Sequence, residues 1–165
     1  MVSVVIPHYG GKDILSECII SLKNCTYQNL EIIIVDNDSP DDSSQHIKTN
    51  FPEITLIQSD YNRGFAGGCN FGAKHAKGEY LLILNNDTTH KTDWIEHLVD
   101  QIESNTSISA VQPKIKNDKK RDHFDYAGAC GGFMDKYCFP FSRGRIFNTV
   151  EKDTGQYNGA CKIFW

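Results

Sequence analysis

One stretch of this 165-residue chain constrains its fold more than any other. It is Gly78-Glu79-Tyr80-Leu81-Leu82-Ile83-Leu84-Asn85-Asn86-Asp87-Thr88. An apolar run of strand length rises out of a charged turn and ends abruptly in two amides and a carboxylate. Residues 80–84 show no alternation of apolar and polar side chains, which predicts a central strand of a parallel sheet, buried on both faces. Ligands of open parallel sheets sit beyond the carboxyl ends of the strands. Asp87 therefore stands where a ligand or metal ion would be held. On position alone, Asn86-Asp87-Thr88 reads equally well as a polar turn capping the next helix.

The rest of the chain repeats the pattern. Residues 2–6 read as a first buried strand, stopped by Pro7, and His8-Tyr9-Gly10-Gly11 as a flexible turn. Ile14, Leu15, Cys18, Ile19 and Leu22 recur at helical spacing. Residues 31–35 form a second strand that runs straight into Asp36-Asn37-Asp38. Ser39 is then expected to cap a helix with Pro40 at its first position and Asp41 and Asp42 in its first turn. Residues 54–57 give a third, short strand. The helix after Asp60-Tyr61-Asn62-Arg63 carries Gly64, Gly68 and Gly72 on one stripe. Glycine disfavours a helix by about 1 kcal/mol relative to alanine, so something must approach that face closely, either the sheet or a ligand.

After residues 80–84, Thr92 can cap an amphipathic helix bearing Trp94, Ile95, Leu98, Val99 and Ile102. Residues 108–115 read as a further strand, placed near an edge by Pro113. Strands and helices alternating over short connections predict right-handed crossovers and an α/β fold with a mostly parallel central sheet flanked by helices. Residues 1–117 make up this core. Residues 118–165 are rich in Gly, aromatics and charge without clean periodicity, and read as an irregular excursion with a hairpin near residues 126–139, all within a single domain.

Composition excludes several classes. Seventeen basic against 21 acidic residues leave a net charge of −4, which argues against a nucleic-acid-binding surface. The one basic cluster, Lys114, Lys116, Lys119, Lys120 and Arg121, is interrupted by Asp118 and Asp122 and reads as a solvated loop. The six cysteines form no C-x-x-C pair, and Cys18 and Cys69 fall on apolar helix positions. This fits a reduced, cytoplasmic protein without a zinc site. The chain opens directly into a strand, so no signal peptide is expected, and no apolar run is long enough to span a membrane. It stops inside the apolar run Ile163-Phe164-Trp165. The expectation is a fragment of a longer protein, cut inside or at the edge of its fold, whose missing part could attach to the inner face of a membrane.

Three strand ends carry polar clusters: Pro7-His8-Tyr9, Asp36-Asn37-Asp38 and Asn85-Asn86-Asp87. The loop after the third strand adds Asn62 and Arg63. Parallel strands put all of these on one edge of the sheet. Neither G-x-G-x-x-G after the first strand nor G-x-x-x-x-G-K-[ST] occurs, which disfavours dinucleotide oxidoreductases and P-loop enzymes. Phosphates bound at this edge would need a cation: a hard divalent ion held by one or two carboxylates and the substrate's own phosphates. Asp87 is the natural ligand.

These motifs, in their order and spacing, resemble family 2 glycosyltransferases over essentially the whole chain. Val2-Ser3-Val4-Val5-Ile6-Pro7-His8-Tyr9 looks like the family's opening V-S-V-V-I-P-x-Y. Residues 31–39, with Asp42 and Ser43, are similar to the second motif, V-D-N-x-S-x-D-x-S. Asn62-Arg63-Gly64-Phe65-Ala66-Gly67-Gly68-Cys69-Asn70-Phe71-Gly72, then Gly78-Glu79-Tyr80 and Leu84-Asn85-Asn86-Asp87-Thr88, resemble the rhamnosyltransferase-like branch.

The resemblance implies a GT-A fold and transfer of a sugar from a nucleoside-diphosphate donor, dTDP-rhamnose or a UDP-sugar. The acceptor would be a hydroxyl of a glycan or lipid-linked glycan in bacterial surface polysaccharide synthesis, with inversion. Carried over by position, Pro7 and Tyr9 line the base pocket, and Asp36 accepts a hydrogen bond from the pyrimidine ring N–H. Asn62, Arg63, Gly68, Asn85 and Asn86 belong to the nucleotide-sugar site. Asp87 ligates Mg²⁺ or Mn²⁺, alone, because asparagine stands where the family's D-x-D motif has its first aspartate.

Asn158-Gly159-Ala160 resembles the start of the acceptor-side segment. The acidic general base is expected after it, beyond Trp165. Asp125 and Asp135 are weaker candidates for that base, and residues 126–145 either shape the acceptor entrance or form a structural flap. Two other readings stay open. One is a nucleotidyltransferase-like enzyme, for which Gly10-Gly11-Lys12 is only a faint echo of the signature. The other is a non-catalytic nucleotide-sugar-binding module.

Overall fold

The computed structural model describes residues 1–126, 130–159 and 161–163. It divides into two compact units, Met1–Asp93 and Trp94–Trp165.

The first unit is built on a four-stranded, wholly parallel sheet. Its strands are β1 (Val2–His8), β2 (Leu30–Asp36), β3 (Thr55–Gln58) and β4 (Tyr80–Ile83), in the order β3-β2-β1-β4. The helices are α1 (Lys12–Lys23), α2 (Ser43–Asn50) and α3 (Gly64–Ala73). The chain steps from β1 to β2 to β3 in one direction, then crosses back past β1 to reach β4. With right-handed crossovers, this reversal puts α1 and α2 on one face of the sheet and α3 on the other. It also opens a crevice between the carboxyl ends of β1 and β4, the switch point where such sheets take their ligands.

All seven residues of β1 are buried, as are the last five of β2. Val5, Ile33 and Val35 form a core with Ile57, Phe71 and Ala76. Leu15, Cys18, Ile19 and Leu22 supply the buried stripe of α1. Two glycines of the α3 stripe serve this packing, whereas Gly64, at φ +66°, has nothing within 4 Å of where its Cβ would lie. A Cβ on Gly72 would lie 2.5 Å from Val5 Cγ1 and 2.8 Å from Val35 Cγ2, and one on Gly68 would lie 2.8 Å from Asn37 Nδ2 and 3.0 Å from Pro7 Cβ. The neighbour that comes close is the sheet itself.

Several expected boundaries move. Pro7 does not stop β1, which runs on through His8 and pairs Pro7 with Val35 and His8 with Asp36. The His8 carbonyl accepts from Asn37 N on the β2 side and the Val5 carbonyl from Leu84 N on the β4 side. Backbone groups alternate sides along a strand, so Pro7 turns its missing N–H toward β4. The last β1–β4 pair is Val5 with Ile83, and no donor is needed beyond it. Helix α2 begins at Ser43, not at Pro40. Ser39 Oγ is taken by Gly10 N (2.9 Å) and the Asp41 carboxylate by Gly11 N (2.8 Å) and the Ser43 hydroxyl. The residues expected to start the helix instead hold the Gly10-Gly11 turn, whose two glycines have φ of +69° and +86°.

The apolar run at β4 is not buried on both faces. Leu81 and Ile83 remain 49% and 41% exposed. The strand is also an edge of the sheet among the described residues.

In the second unit, α4 (Trp94–Glu103) is amphipathic, with Ile95 and Val99 buried. It starts at Trp94, two residues past Thr92. The strand expected over residues 108–115 does not form, and just beyond it Lys116 makes an isolated bridge to Phe124. Pro113 removes one donor from that segment, and among the described residues no strand pairs with the rest.

Two small antiparallel pairs follow: β5 (Gly132–Met134) with β6 (Pro140–Ser142), and β7 (Arg145–Ile146) with β8 (Thr149–Val150). The first hairpin lies a few residues beyond the expected one, because Asp135 Oδ1 accepts from both Tyr137 N and Phe139 N and so fixes the turn there. Phe124 and Cys130 form a small core with Val150 and Tyr157. Lys114 and Lys116 both pair with Asp153, and Arg121 with Asp118, so three of the five cations of the basic cluster have carboxylate partners. Residues 127–129, 160, 164 and 165, which the sequence reading assigned to the acceptor side and the terminal run, lie outside the described residues.

Candidate functional site

The carboxyl ends of β1 and β2 are pinned together before any ligand is considered. His8 and Asp36 are direct cross-strand partners. Their side chains share a sheet face, because Val5, Pro7, Val35 and Asn37 point the other way, toward α3. Asp36 is 4% exposed. Its Oδ1 accepts from Ser39 N at 3.0 Å, and its Oδ2 accepts from the Ser44 hydroxyl. Each oxygen keeps a further lone pair. The chain then turns at Asp38, a residue type that tolerates the left-handed conformation it adopts here, φ +63°.

Gly10-Gly11-Lys12 is not a phosphate cradle. Both glycine N–H groups are spent on Ser39 and Asp41, and the Lys12 ammonium lies 2.8 Å from Asp42. The hydroxyl of Ser43 holds the Asp41 carboxyl down to about 2.

On the α3 side, Arg63 is fixed as a platform. Its guanidinium lies 4.4 Å from the ring centres of both Tyr61 and Phe71. Nε donates to Ser59 Oγ at 2.7 Å and Nη1 to Tyr61 Oη at 2.9 Å. Its remaining donors stay available to an anion or a ring edge. The Asn62 side-chain oxygen accepts from Gly64 N at 2.8 Å and so opens α3. Tyr9 is half exposed just past β1.

Beyond β4 the chain runs through Asn85, Asn86 and Asp87. Nδ2 of Asn86 lies 2.9 Å from His8 Nδ1, which ties this segment to the end of β1 across the crevice. From below, the segment rests on α1. The Asn85 carbonyl accepts from Thr88 Oγ1 at 2.9 Å and from the Cys18 thiol at 3.7 Å. His90 spans Thr88 Oγ1 (3.1 Å) and Ser21 Oγ (2.7 Å). Burial lowers the pKa of His90 to about 4 and pushes the Cys18 thiol up to about 11. It also lowers His8, against the pull of Asp36 and Asp41. Both imidazoles are therefore neutral near pH 7.

Asp87 is exposed, and no group among the described residues holds its carboxylate. No three His, Cys, Asp or Glu side chains converge to hold a metal among the described residues either. A cation at Asp87 would thus have one protein carboxylate and take its other ligands from diphosphate oxygens and water. Magnesium and manganese accept such a donor set. At the opposite edge of the sheet, a groove of about 360 Å³ is lined by Leu22, Lys23, Glu31, Glu53, Ile54 and Thr55. Lys23 and Glu53 pair across it. It gathers none of the predicted residues, and the strand-end chemistry is all at the carboxyl edge.

The structure thus brings Pro7, Tyr9, Asp36, Asn85, Asn86 and Asp87 to one edge, with Asn62, Arg63 and Gly68 at the start of α3 beside it. Sequence reasoning gave no role to His8, Ser44 or His90. Ser44 follows Asp36 by eight residues at a helix start, a readable signal. The contacts of His8 and His90 span 78 and 69 residues, and nothing local announces them.

Comparison with known proteins bears on the family and the fold. The model of glycosyl transferase family 2 matches residues 3–161. An uncharacterized glycosyltransferase of Haemophilus influenzae is 33% identical over 114 residues, covering 67% of this chain and 35% of that protein. The UDP-Glc:alpha-D-GlcNAc-diphosphoundecaprenol beta-1,3-glucosyltransferase WfaP of Escherichia coli is 35% identical over 105 residues, covering 63% of this chain and 42% of that protein. The chain thus spans well under half the length of these curated relatives.

Among solved structures, S. aureus TarS 1-349 in complex with UDP superposes with a TM-score of 0.58 at 20% identity, over 70% of this chain and 39% of that one. The mannosyltransferase PcManGT from Pyrobaculum calidifontis, in complex with GDP-Man and Mn²⁺, gives 0.58 at 23% identity, over 69% and 33%. These likenesses show the fold. No helix among the described residues is long and apolar enough to cross a membrane. With its parallel sheet, its polar strand ends and the match from residue 3 to residue 161, the chain belongs to glycosyl transferase family 2 and has the GT-A fold.

Proposed function

We propose that this chain carries the donor-binding part of a glycosyltransferase that uses a nucleoside-diphosphate sugar. The observation that carries the reading is the gathering of an acceptor-only carboxylate, Asp36, an anchored guanidinium, Arg63, and an unengaged carboxylate, Asp87, at one sheet edge. Asp36 receives the pyrimidine ring N–H, with Pro7 and Tyr9 against the base. Arg63 and the amides of Asn85 and Asn86 face the sugar and diphosphate. Gly68 acts indirectly, by letting α3 approach Asn37 and Pro7. A divalent cation on Asp87 supplies charge to stabilise the departing diphosphate more in the transition state than in the ground state.

The preferred donor is dTDP-rhamnose or a UDP-sugar. The first rests on the motifs at residues 62–72 and 84–88. The second is supported by the UDP complex of TarS and the UDP-Glc in the name of WfaP. WfaP's diphosphoundecaprenol substrate favours a lipid-linked glycan acceptor and a role in surface polysaccharide synthesis at the cytoplasmic side of a membrane. Asp135 Oδ1 accepts from Tyr137 N and Phe139 N, which supports a turn-holding role for this side chain beside its candidacy as general base.

Calorimetric titration with dTDP, UDP, GDP and ADP, each with and without Mn²⁺, tests this reading. The expected result is metal-dependent binding of a pyrimidine diphosphate. Asp87→Asn should leave the fold intact and weaken the metal-dependent part about tenfold. Unchanged affinity in that variant would reduce Asp87 to a turn residue. Asp36→Asn should weaken pyrimidine nucleotides more than inorganic diphosphate, and equal losses would remove Asp36 from the base pocket.

A further inference from the structure

His8 is the least explained buried group in the molecule. It is 2% exposed, an imidazole in a strand whose other buried members include Val2, Val4, Val5 and Ile6. Its Nε2 is buried and has no hydrogen-bond partner among the described residues, and burial lowers its pKa. The hydrogen bond that the ring does make is on its other nitrogen. That nitrogen, Nδ1, lies 2.9 Å from Nδ2 of Asn86. With the amide in this orientation, Nδ1 accepts and the ring proton sits on Nε2. The contact crosses the crevice between β1 and the segment after β4, one residue before Asp87.

We propose that His8 is a positioning residue for the metal-bound diphosphate. Its neutral imidazole holds the Asn86 amide, and through it the segment that presents Asp87, in the orientation that a cation and diphosphate require. The proposal rests on the donor-site reading above and adds a residue to it. Asn86 bonded to His8 cannot rotate freely, so the Asp87 backbone leaves β4 in one direction. Ser21, Cys18 and His90 hold the far side of the same turn. The carboxylates nearest the ring in charge terms are Asp36 and Asp41, and neither is bonded to it.

The test compares His8→Leu, His8→Gln and His8→Asn. Asparagine places its side-chain oxygen close to where Nδ1 lies, whereas glutamine reaches the Nε2 position. Leucine and glutamine should weaken Mn²⁺-dependent nucleoside-diphosphate binding about tenfold, with metal-free binding unchanged. Asparagine should stay within about twofold of the parent chain, as a retained acceptor would. Equal losses with and without Mn²⁺, or no rescue by asparagine, would make His8 a packing residue and overturn the proposal.

A second measurement needs no nucleotide. Ring ¹⁵N shifts of the parent chain should show the Nε2–H tautomer, and Asn86→Ala should move the Nδ1 resonance. The Nδ1–H tautomer, or a resonance indifferent to Asn86, would also overturn it. A parent chain that binds no nucleoside diphosphate removes the donor-site reading, while the ring shifts still decide whether His8 holds Asn86.

Discussion

Gly72 separates two demands that meet at one Cα. As a helix residue it is a poor choice, and alanine would gain about 1 kcal/mol of helix propensity. As a contact with the sheet it has no substitute, because a Cβ would fall 2.5 Å from Val5 Cγ1 and 2.8 Å from Val35 Cγ2. Both neighbours are branched, fully buried and flanked by paired strands, so neither can yield cheaply. Overpacking of this kind costs about 1–3 kcal/mol, which exceeds the propensity gain. Gly72→Ala should therefore lower the urea midpoint, and Val5→Ala in the same chain should recover part of the loss. Additive destabilisation of the two substitutions would show that they do not share this contact. The sequence posed the question, sheet or ligand, and left it open. Only the Cβ positions answer it, because a glycine stripe records closeness without recording what is close.

At the scale of elements, the turn after β4 is a joint between β1, α1 and the strand it leaves. Its underside depends on a neutral His90 between Thr88 and Ser21. Burial lowers the His90 pKa from 6.5 to about 4. The folded value lies below the unfolded one, so the unfolded chain takes the proton first. Stability is then fully present above about pH 6.5 and is lost as pH falls from there toward about 4. His8 is shifted in the same direction and adds to the slope. Urea midpoints at pH 7.5 and pH 5 should show this loss, and His90→Gln should flatten it. An unchanged difference in the variant would assign the slope to other groups.

The same joint shows what was legible. Strands β1 and β2 are readable because continuous Val and Ile runs are what a doubly covered strand needs, and the place of Asp87 beyond the carboxyl end of β4 is readable because it follows an apolar run of strand length. Burial of β4 was over-read: an apolar run says what a face could be packed with, and Leu81 and Ile83 are not covered. The start of α2 was misplaced because its caps serve a turn some thirty residues away. The segment 108–115 has suitable residues and no partner strand among the described residues. In each case the deciding contact is remote in sequence.

For the whole molecule, the two units differ in how much backbone they shelter. β1 and β2 share seven register pairs, and β1 is buried along its entire length. The pairs β5–β6 and β7–β8 have three and two, with Phe139, Ile146 and Phe147 more than 60% exposed. A two-stranded hairpin is marginal by itself and relies on what packs against it. Here that packing is the small cluster around Phe124, Cys130, Val150 and Tyr157. Opening a hairpin should therefore require far less free energy than opening the central ladder, which comes apart only when the first unit unfolds. Native-state hydrogen exchange reads this directly. Amides of Val4, Ile6, Ile33 and Ile34 should exchange at the rate of global unfolding of their unit. Those of Phe133, Phe141 and Arg145 should exchange about a thousandfold faster or more. Comparable protection in both sets would mean that the short strands are held by much more than the contacts named. The expected contrast matters for binding, because His8 and Asp36 are the last residues of the most protected strands. A donor site mounted there is set by the most rigid part of the chain, and nucleotide should slow exchange around residues 85–90 while leaving the β1–β2 ladder unchanged.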